Sequence, residues 1–202
     1  MSNSRFKIIG LTGQSGAGKS TVSEAFKAMG AAVVDADGLA HKALKEDKCK
    51  ENLRNVFGEG IFDEKGEVIR KALAKAAFCS EENTEKLNKA THPVIAELAE
   101  REFEFYKAQG KELVLFDAPT LFESGLDKMC SSVVAVIADK NARAQRIMER
   151  DGLSFEDALL RLNAQHDDDF YTKKARFVIQ NNGTVEELRE KGKEVCKELF
   201  NE

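Results

Sequence analysis

The apolar positions of this chain fall into short unbroken runs, separated by longer stretches in which they recur every third or fourth residue. Phe6-Lys7-Ile8-Ile9-Gly10-Leu11 is the first short run and reads as a strand. Behind it Val22, Ala25, Phe26 and Met29 stand at i, i+3, i+4 and i+7, one helix face, with Gly30 where a C-cap belongs. Ala31-Ala32-Val33-Val34 is a second strand, ending in Asp35-Ala36-Asp37. Leu113–Asp117, Ser132–Ala138 and Phe177–Ile179 supply three more. The β-branched run at 132–138 does not alternate with polar residues, as a sheet covered on both faces requires.

The stretches between are helical in pattern. From Leu39 to Tyr106 the chain is densely charged, with an apolar cluster at Leu53, Val56 and Phe57 broken by Gly58-Glu59-Gly60. A turn is expected at Asp63-Glu64-Lys65-Gly66, and a helix resumes with Leu73, Ala76, Ala77 and Phe78. Pro93 fits the first turn of a helix running to Tyr106, where no backbone donor is lost. Asp139 to Arg150 forms another helix. Ser154 caps the next, which starts at Phe155, carries Ala158, Leu159 and Leu162, and includes Arg161 and Gln165. Glu186 to Phe200 is a terminal amphipathic helix with Leu188, Val195 and Leu199 toward the core.

Composition narrows the class. At 202 residues there is room for one α/β domain with a helical insertion. A net charge of -4 lacks the basic excess usual in nucleic-acid binders, so no nucleic-acid partner is expected. Cys49, Cys79, Cys130 and Cys196 are far apart, which reads as free thiols in a reducing cytoplasm. Arg5 and Lys7 precede an apolar run too short for a signal peptide, and no segment approaches a membrane span. A cytoplasmic protein without membrane attachment is expected.

The chemistry centres on Gly13-Gln14-Ser15-Gly16-Ala17-Gly18-Lys19-Ser20-Thr21, which fits G-x-x-x-x-G-K-[ST]. Glycines let such a loop turn its N–H groups onto phosphate oxygens. Lys19 offers a compact charge to the β/γ phosphates and the Ser20 hydroxyl is a ready Mg²⁺ ligand. A strand before the loop and a helix after it make this a nucleotide-binding loop and not a bare turn. Asp35 and Asp37 follow the second strand, where acids serve Mg²⁺ or a substrate hydroxyl, or where one of them caps the helix near Gly38. Asp117 closes the third strand in Walker B fashion. His92, ahead of Pro93, either caps its helix or reaches a ligand. Arg143, Arg146 and Arg150 share one helical face, either a solvated stripe or guanidinium groups presented to phosphates. The side-chain amides of Asn181-Asn182-Gly183 suit an adenine edge.

Taken in order, these motifs resemble dephospho-CoA kinase, the family that phosphorylates the ribose 3′-hydroxyl of dephospho-CoA. The resemblance rests on Gly10-Leu11-Thr12-Gly13…Gly18-Lys19-Ser20-Thr21, Asp35-Ala36-Asp37, and Arg70 with Leu73. Also part of it are His92-Pro93-x-Ile95, Pro119-x-Leu121-Phe122-Glu123, Arg146…Arg150-Asp151, Arg161…Ala164-Gln165 and Asn181-Asn182-Gly183. Gln14 and Ser15 stand where the family usually has Gly and Ile, and Thr120 where Leu is common. Other small-molecule kinases are disfavoured by the His-Pro-x-Ile and Asn-Asn-Gly motifs. A GTP switch is disfavoured because Asp139-Lys140-Asn141 is the wrong order for a guanine reader.

The resemblance implies a P-loop kinase-type three-layer α/β fold with a five-stranded parallel sheet. The core would take residues 1–38, 107–139 and 166–202, a CoA-side helical subdomain 39–106, and a lid 140–165. ATP would sit on Gly13, Ser15, Gly16, Ala17, Gly18, Lys19, Ser20 and Thr21, with Asn181 beside it. Mg²⁺ would sit on Ser20 with support from Asp35. Asp37 would take the 3′-hydroxyl proton, and Lys19 with Arg146 or Arg150 would offset phosphoryl charge. Asp35, Asp37, Arg70, His92 and Glu123 would face dephospho-CoA. A monomer or weak homo-oligomer is expected.

Overall fold

A computed structural model describes residues 6–202; Arg5, used above in the reading of the N-terminus, lies outside the described residues. The elements follow as β1 (Lys7–Gly13), α1 (Lys19–Ala28), β2 (Ala32–Asp35), α2 (Ala36–Ala43), α3 (Asp47–Phe57), α4 (Arg70–Ala77) and α5 (Glu81–Ala108). Then come β3 (Leu113–Asp117), β4 (Ser132–Ile137), α6 (Lys140–Asp151), α7 (Phe155–Asn163), α8 (Asp168–Thr172), β5 (Phe177–Gln180) and α9 (Val185–Asn201). The five strands form one parallel sheet in the order β2-β3-β1-β4-β5. β1 is central: Ile9 pairs with Leu115 on one side and Ser132 on the other.

Alternate residues of each strand point to opposite faces, and both faces are covered. On one, Ile9, Leu11, Leu113, Leu115, Val134 and Val136 pack with Val22 and Phe26 of α1 and with Leu188, Cys196 and Leu199 of α9. On the other, Ala135 and Ile137 meet Tyr171 of α8, with Phe122 and Phe170 alongside. This double cover is why β4 is buried along its whole length. A smaller core of Ala144, Ile147, Ala158 and Leu162 joins α6 to α7. Burial pushes the thiols of Cys130 and Cys196 up to about 12, so they stay protonated, as free cysteines used only for packing do.

The chain divides into two compact units, Met1–Val34 with Phe105–Glu202, and Asp35–Glu104. In the second, α3 ends at Gly58, whose φ of 73° stops the helix. The expected turn follows, closed by an antiparallel bridge between Phe62 and Val68. Leu53, Leu73, Val94 and Ala99 are buried within this unit. Its surface carries ion pairs between elements, Lys50–Glu67 at 2.7 Å and Arg54–Glu59 at 2.6 Å, with Lys48 also paired to Glu97.

Several expectations are corrected. Pro93 is not in a first helical turn but inside α5, which begins at Glu81. The acidic pair Glu81-Glu82 starts that helix, and burial of Ala90, Thr91, Val94 and Ile95 on both sides of the proline carries it past the missing donor. His92 therefore caps nothing. α2 begins at Ala36, not near Gly38, because Asp35 caps it. α7 ends at Asn163, which leaves Gln165 outside it. Phe78 follows α4 and is 66% exposed, and Met29 and Val56 also face solvent. α8 has no expectation behind it; five residues with three aspartates in or before them show no period to read. Among the described residues no helix is long and apolar enough to cross a membrane.

Candidate active site

β1 delivers the chain at Gly13 into a loop that ends at Gly18, the N-cap of α1. Both glycines are required. Gly13 has φ 139° and a Cβ there would run into the Val136 carbonyl of β4. Gly18 has φ 102°, and a Cβ would lie 2.7 Å from both Asn181 Nδ2 and Leu188 Cδ2. The sheet and α9 therefore press directly on the loop backbone, so it keeps one shape. No side chain caps α1 at Gly18, so the first N–H groups of the helix face outward with its positive dipole end.

Side chains from the last third of the chain hold the loop from outside. Asn181, 5% exposed, donates Nδ2 to the Ala17 carbonyl at 2.7 Å. Arg146 donates Nη1 to the Gly16 carbonyl at 3.1 Å and Nη2 to the Asn181 carbonyl at 3.5 Å. Gln165 Oε1 accepts the Ser15 N–H at 3.1 Å. Gln14, 1% exposed, donates Nε2 to Asp168 Oδ1 at 2.7 Å. Lys19 Nζ reaches back to the Gly13 and Gln14 carbonyls at 2.8 and 3.3 Å. Ser20, on the first turn of α1, keeps its hydroxyl on an exposed residue, and Thr21 follows half-buried.

The three arginines of α6 have three different fates, which their shared spacing did not reveal. Arg143 is 5% exposed, donates Nη1 to Gln165 Oε1 at 3.4 Å, and burial pushes its guanidinium below the usual value despite Asp168 and Asp139 nearby. Arg146 touches the loop. Arg150 is turned to Asp151, with Nε to Oδ1 at 2.7 Å, and that hydrogen bond keeps it firmly charged. Arg161 joins the same carboxylate at 2.7 Å. Asn182, on the surface, accepts the Asp139 N–H through Oδ1 at 3.0 Å, so both side-chain amides of the Asn-Asn pair bond to this chain's own backbone.

Glu123, between β3 and β4, lies 3.8 Å from His166. The His166 ring stacks on Phe170 at 3.7 Å, and Lys174 sits 3.6 Å over the same ring. Burial, with Glu123 as the second cause, pushes Tyr171 up to about 12.

Asp35, Asp37, Arg70 and His92 belong to the second unit. Asp35 accepts the N–H of Asp37 at 3.0 Å on Oδ1 and of Gly38 at 3.1 Å on Oδ2, a two-handed N-cap. Asp37 stands in the first turn of α2, and His41 is one turn on along the same face. Arg70, at the start of α4, donates Nη2 to His41 Nε2 at 2.7 Å, which brings its guanidinium to the face that carries Asp37. His92 is half-buried within α5, and burial lowers its pKa.

Sequence reasoning singled out the loop and Arg146, and offered Arg143 as one of three equivalent arginines, but gave the Gln14 side chain no role and did not name Asp168. The available signal for Gln14 was a long polar side chain next to a loop glycine. Nothing marked Asp168, which reaches the loop only through the folded chain.

Among the described residues no cluster of three or more His, Cys, Asp or Glu forms a metal cage. An exposed hydroxyl at the start of α1 fits Mg²⁺ all the same, because that ion keeps most of its waters and takes its other oxygens from phosphates.

The family model for dephospho-CoA kinase matches residues 7–187. A dephospho-CoA kinase of Corynebacterium glutamicum is 38% identical over 193 residues, 95% of this chain and 96% of that one. The crystal structure of TT1252 from Thermus thermophilus superposes with a TM-score of 0.79 at 34% identity, covering 96% of this chain and 98% of that one. Dephospho-CoA kinase from Campylobacter jejuni gives 0.70 at 27% identity, covering 96% and 97%.

Proposed function

The chain belongs to the dephospho-CoA kinase family of phosphotransferases, at the last step of coenzyme A biosynthesis, and from that premise we propose how its own residues divide the work. The reaction takes ATP and dephospho-CoA to ADP and coenzyme A. The ribose 3′-oxygen bonds to the γ-phosphorus, the bond from that phosphorus to the β,γ-bridging oxygen breaks, and the 3′-hydroxyl proton leaves to a base.

ATP phosphates lie on Ser15 to Thr21, with Gly13 setting the entry to the loop. Lys19 gives up the Gly13 and Gln14 carbonyls for phosphate oxygens, which as anions bind an ammonium about twice as strongly. Arg146 reaches the transferring group from its place on the Gly16 carbonyl, and Arg150 from its pair with Asp151. Asn181 serves the nucleotide by fixing the loop. Ser20 would hold Mg²⁺ with support from Asp35, and the ion would supply neutralising charge to the phosphates.

Asp37 is the base. Asp35, by receiving two backbone N–H groups, fixes the first turn of α2 and so the Asp37 side chain. Arg70, steadied by His41, together with His92 and Glu123, receives dephospho-CoA. The observation that carries this reading is the loop: a turn of positive-φ glycines at 13, 16 and 18, braced by Asn181 and Arg146, in a chain matched to the family across residues 7–187.

The test is incubation with MgATP and dephospho-CoA, followed by ADP release and product mass. One added phosphate on the 3′ position is expected. Lys19→Ala should lower kcat about a thousandfold or more, and Asp37→Asn about a hundredfold or more, with an unchanged melting curve. Near-normal turnover in Asp37→Asn removes the base assignment and leaves the family intact.

A further inference from the structure

The Ser15 N–H points at a side chain of this chain and not at solvent. Its acceptor, Gln165 Oε1, lies 3.1 Å away and also receives Arg143 Nη1 at 3.4 Å. One amide oxygen thus sits between a loop N–H and a buried guanidinium, which is the donor set that a phosphate oxygen seeks. Gln165 lies just past Ala164, the C-cap of α7, in the short connection to α8. That connection borders a cavity of about 580 Å³ that Gln14 and Arg143 also line. Two polar atoms there, Gln14 Oε1 and Arg143 Nε, are buried without a hydrogen-bond partner, so the polar wall around Gln165 is incomplete as it stands.

We propose that Gln165 is an internal stand-in for a phosphate oxygen, occupying the Ser15 donor until ATP displaces it. This rests on the nucleotide reading of the loop. A neutral amide holds that position only weakly against an anion, because charge-assisted hydrogen bonds are about twice as strong. Arrival of the phosphate moves the Gln165 side chain off the loop and frees the segment between α7 and α8. ATP binding is then weaker than the bare loop would give, since part of the interaction is spent on breaking an existing contact. Gln165 is a positioning residue: it sets whether the loop is open to phosphate, and takes no proton and no phosphoryl group.

A stand-in and a mere brace predict opposite signs. The full chain and its Gln165→Ala and Gln165→Glu variants are titrated with MgATP by calorimetry, with melting curves and steady-state kinetics on each. As a stand-in, Gln165→Ala binds ATP roughly threefold to tenfold more tightly, the size of one net hydrogen bond, and the change appears in KM for ATP and not in kcat. Gln165→Glu puts a carboxylate between Ser15 and Arg143, and binds ATP about tenfold or more weakly. As a brace, the alanine variant binds more weakly and the glutamate variant, still an acceptor, binds as well as the parent. Either of those results, or unchanged affinity in both variants, overturns the proposal. If Gln165→Ala loses its cooperative melt, the isosteric glutamate variant decides alone. A parent that binds no MgATP overturns the nucleotide reading itself, an outcome separate from a parent that binds while its variants respond as a brace would.

Discussion

Around residues 13–21, the backbone is met by side chains from residues 146, 165 and 181, and neighbouring β4 leaves no room for a Cβ at Gly13. Within Asp35–Glu104, Asp37 and Arg70 stand exposed in the first turns of α2 and α4 instead, and the contacts between elements there include exposed ion pairs such as Arg54–Glu59. Triphosphate recognition needs donors fixed before the ligand arrives, since preorganised dipoles cost no reorganisation during reaction. The contrast predicts that damage near the loop is severe and damage on the helical unit is graded.

The largest effect tests the loop. Gly18→Ala forces a Cβ onto Asn181 and Leu188 at a left-handed φ, and should cost about 3 kcal/mol of stability together with most ATP binding, read by urea melts and calorimetry. Asn181→Ala removes the buried bond to the Ala17 carbonyl at 2.7 Å. A loss of about 1–3 kcal/mol and a raised KM for ATP are expected. If Asn181→Ala keeps both stability and KM, the loop is shaped by the glycines alone and the contrast is weaker than drawn.

The helical unit should respond by degrees. Burial holds the His92 pKa below its ordinary 6.5, so the unfolded chain takes up the proton first. Its contribution is complete above pH 6.5 and is lost as pH falls from there through the lower folded value. The urea midpoint of the parent should drop between pH 7.5 and 5.5 more than that of His92→Gln; equal drops remove His92 as the cause. Smallest of all, Glu59→Gln weakens the exposed pair with Arg54 and should cost under about 1 kcal/mol and leave kcat unchanged. A large loss there would erase the distinction between the two regions.

The five strands and the loop were legible because their signals are local. β3 matches its expected ends residue for residue, and Ser154 caps α7 through Asp157 N–H as its spacing implied. What stayed hidden depends on the fold. Arg143, Arg146 and Arg150 are equivalent in the sequence, and only packing of α6 buries the first, puts the second on the loop and leaves the third to Asp151. Pro93 misled in the same way: a proline signals a helix start, but burial on both sides kept α5 continuous through it. The Asn181 bond to the Ala17 carbonyl likewise spans the chain, and no spacing announces it. A polar side chain declares what bonds it can make and not with whom.

β1 takes its neighbours from far along the chain: Lys7 pairs with Leu113, Ile9 with Ser132, and Lys7 Nζ donates to the Leu199 carbonyl of α9. During synthesis, the first strand therefore waits until β4, which ends at Ile137, has been made before it can pair on both sides. Strand order of this kind raises contact order and slows folding, whereas Asp35–Glu104 is a compact unit continuous in sequence. A nascent chain lacking residues 146–181 has the glycine motif and the β4 wall beside Gly13, but not the side chains of Arg146, Gln165 and Asn181 that hold the loop. The loop, encoded first, is thus braced last, when Asn181 reaches the Ala17 carbonyl.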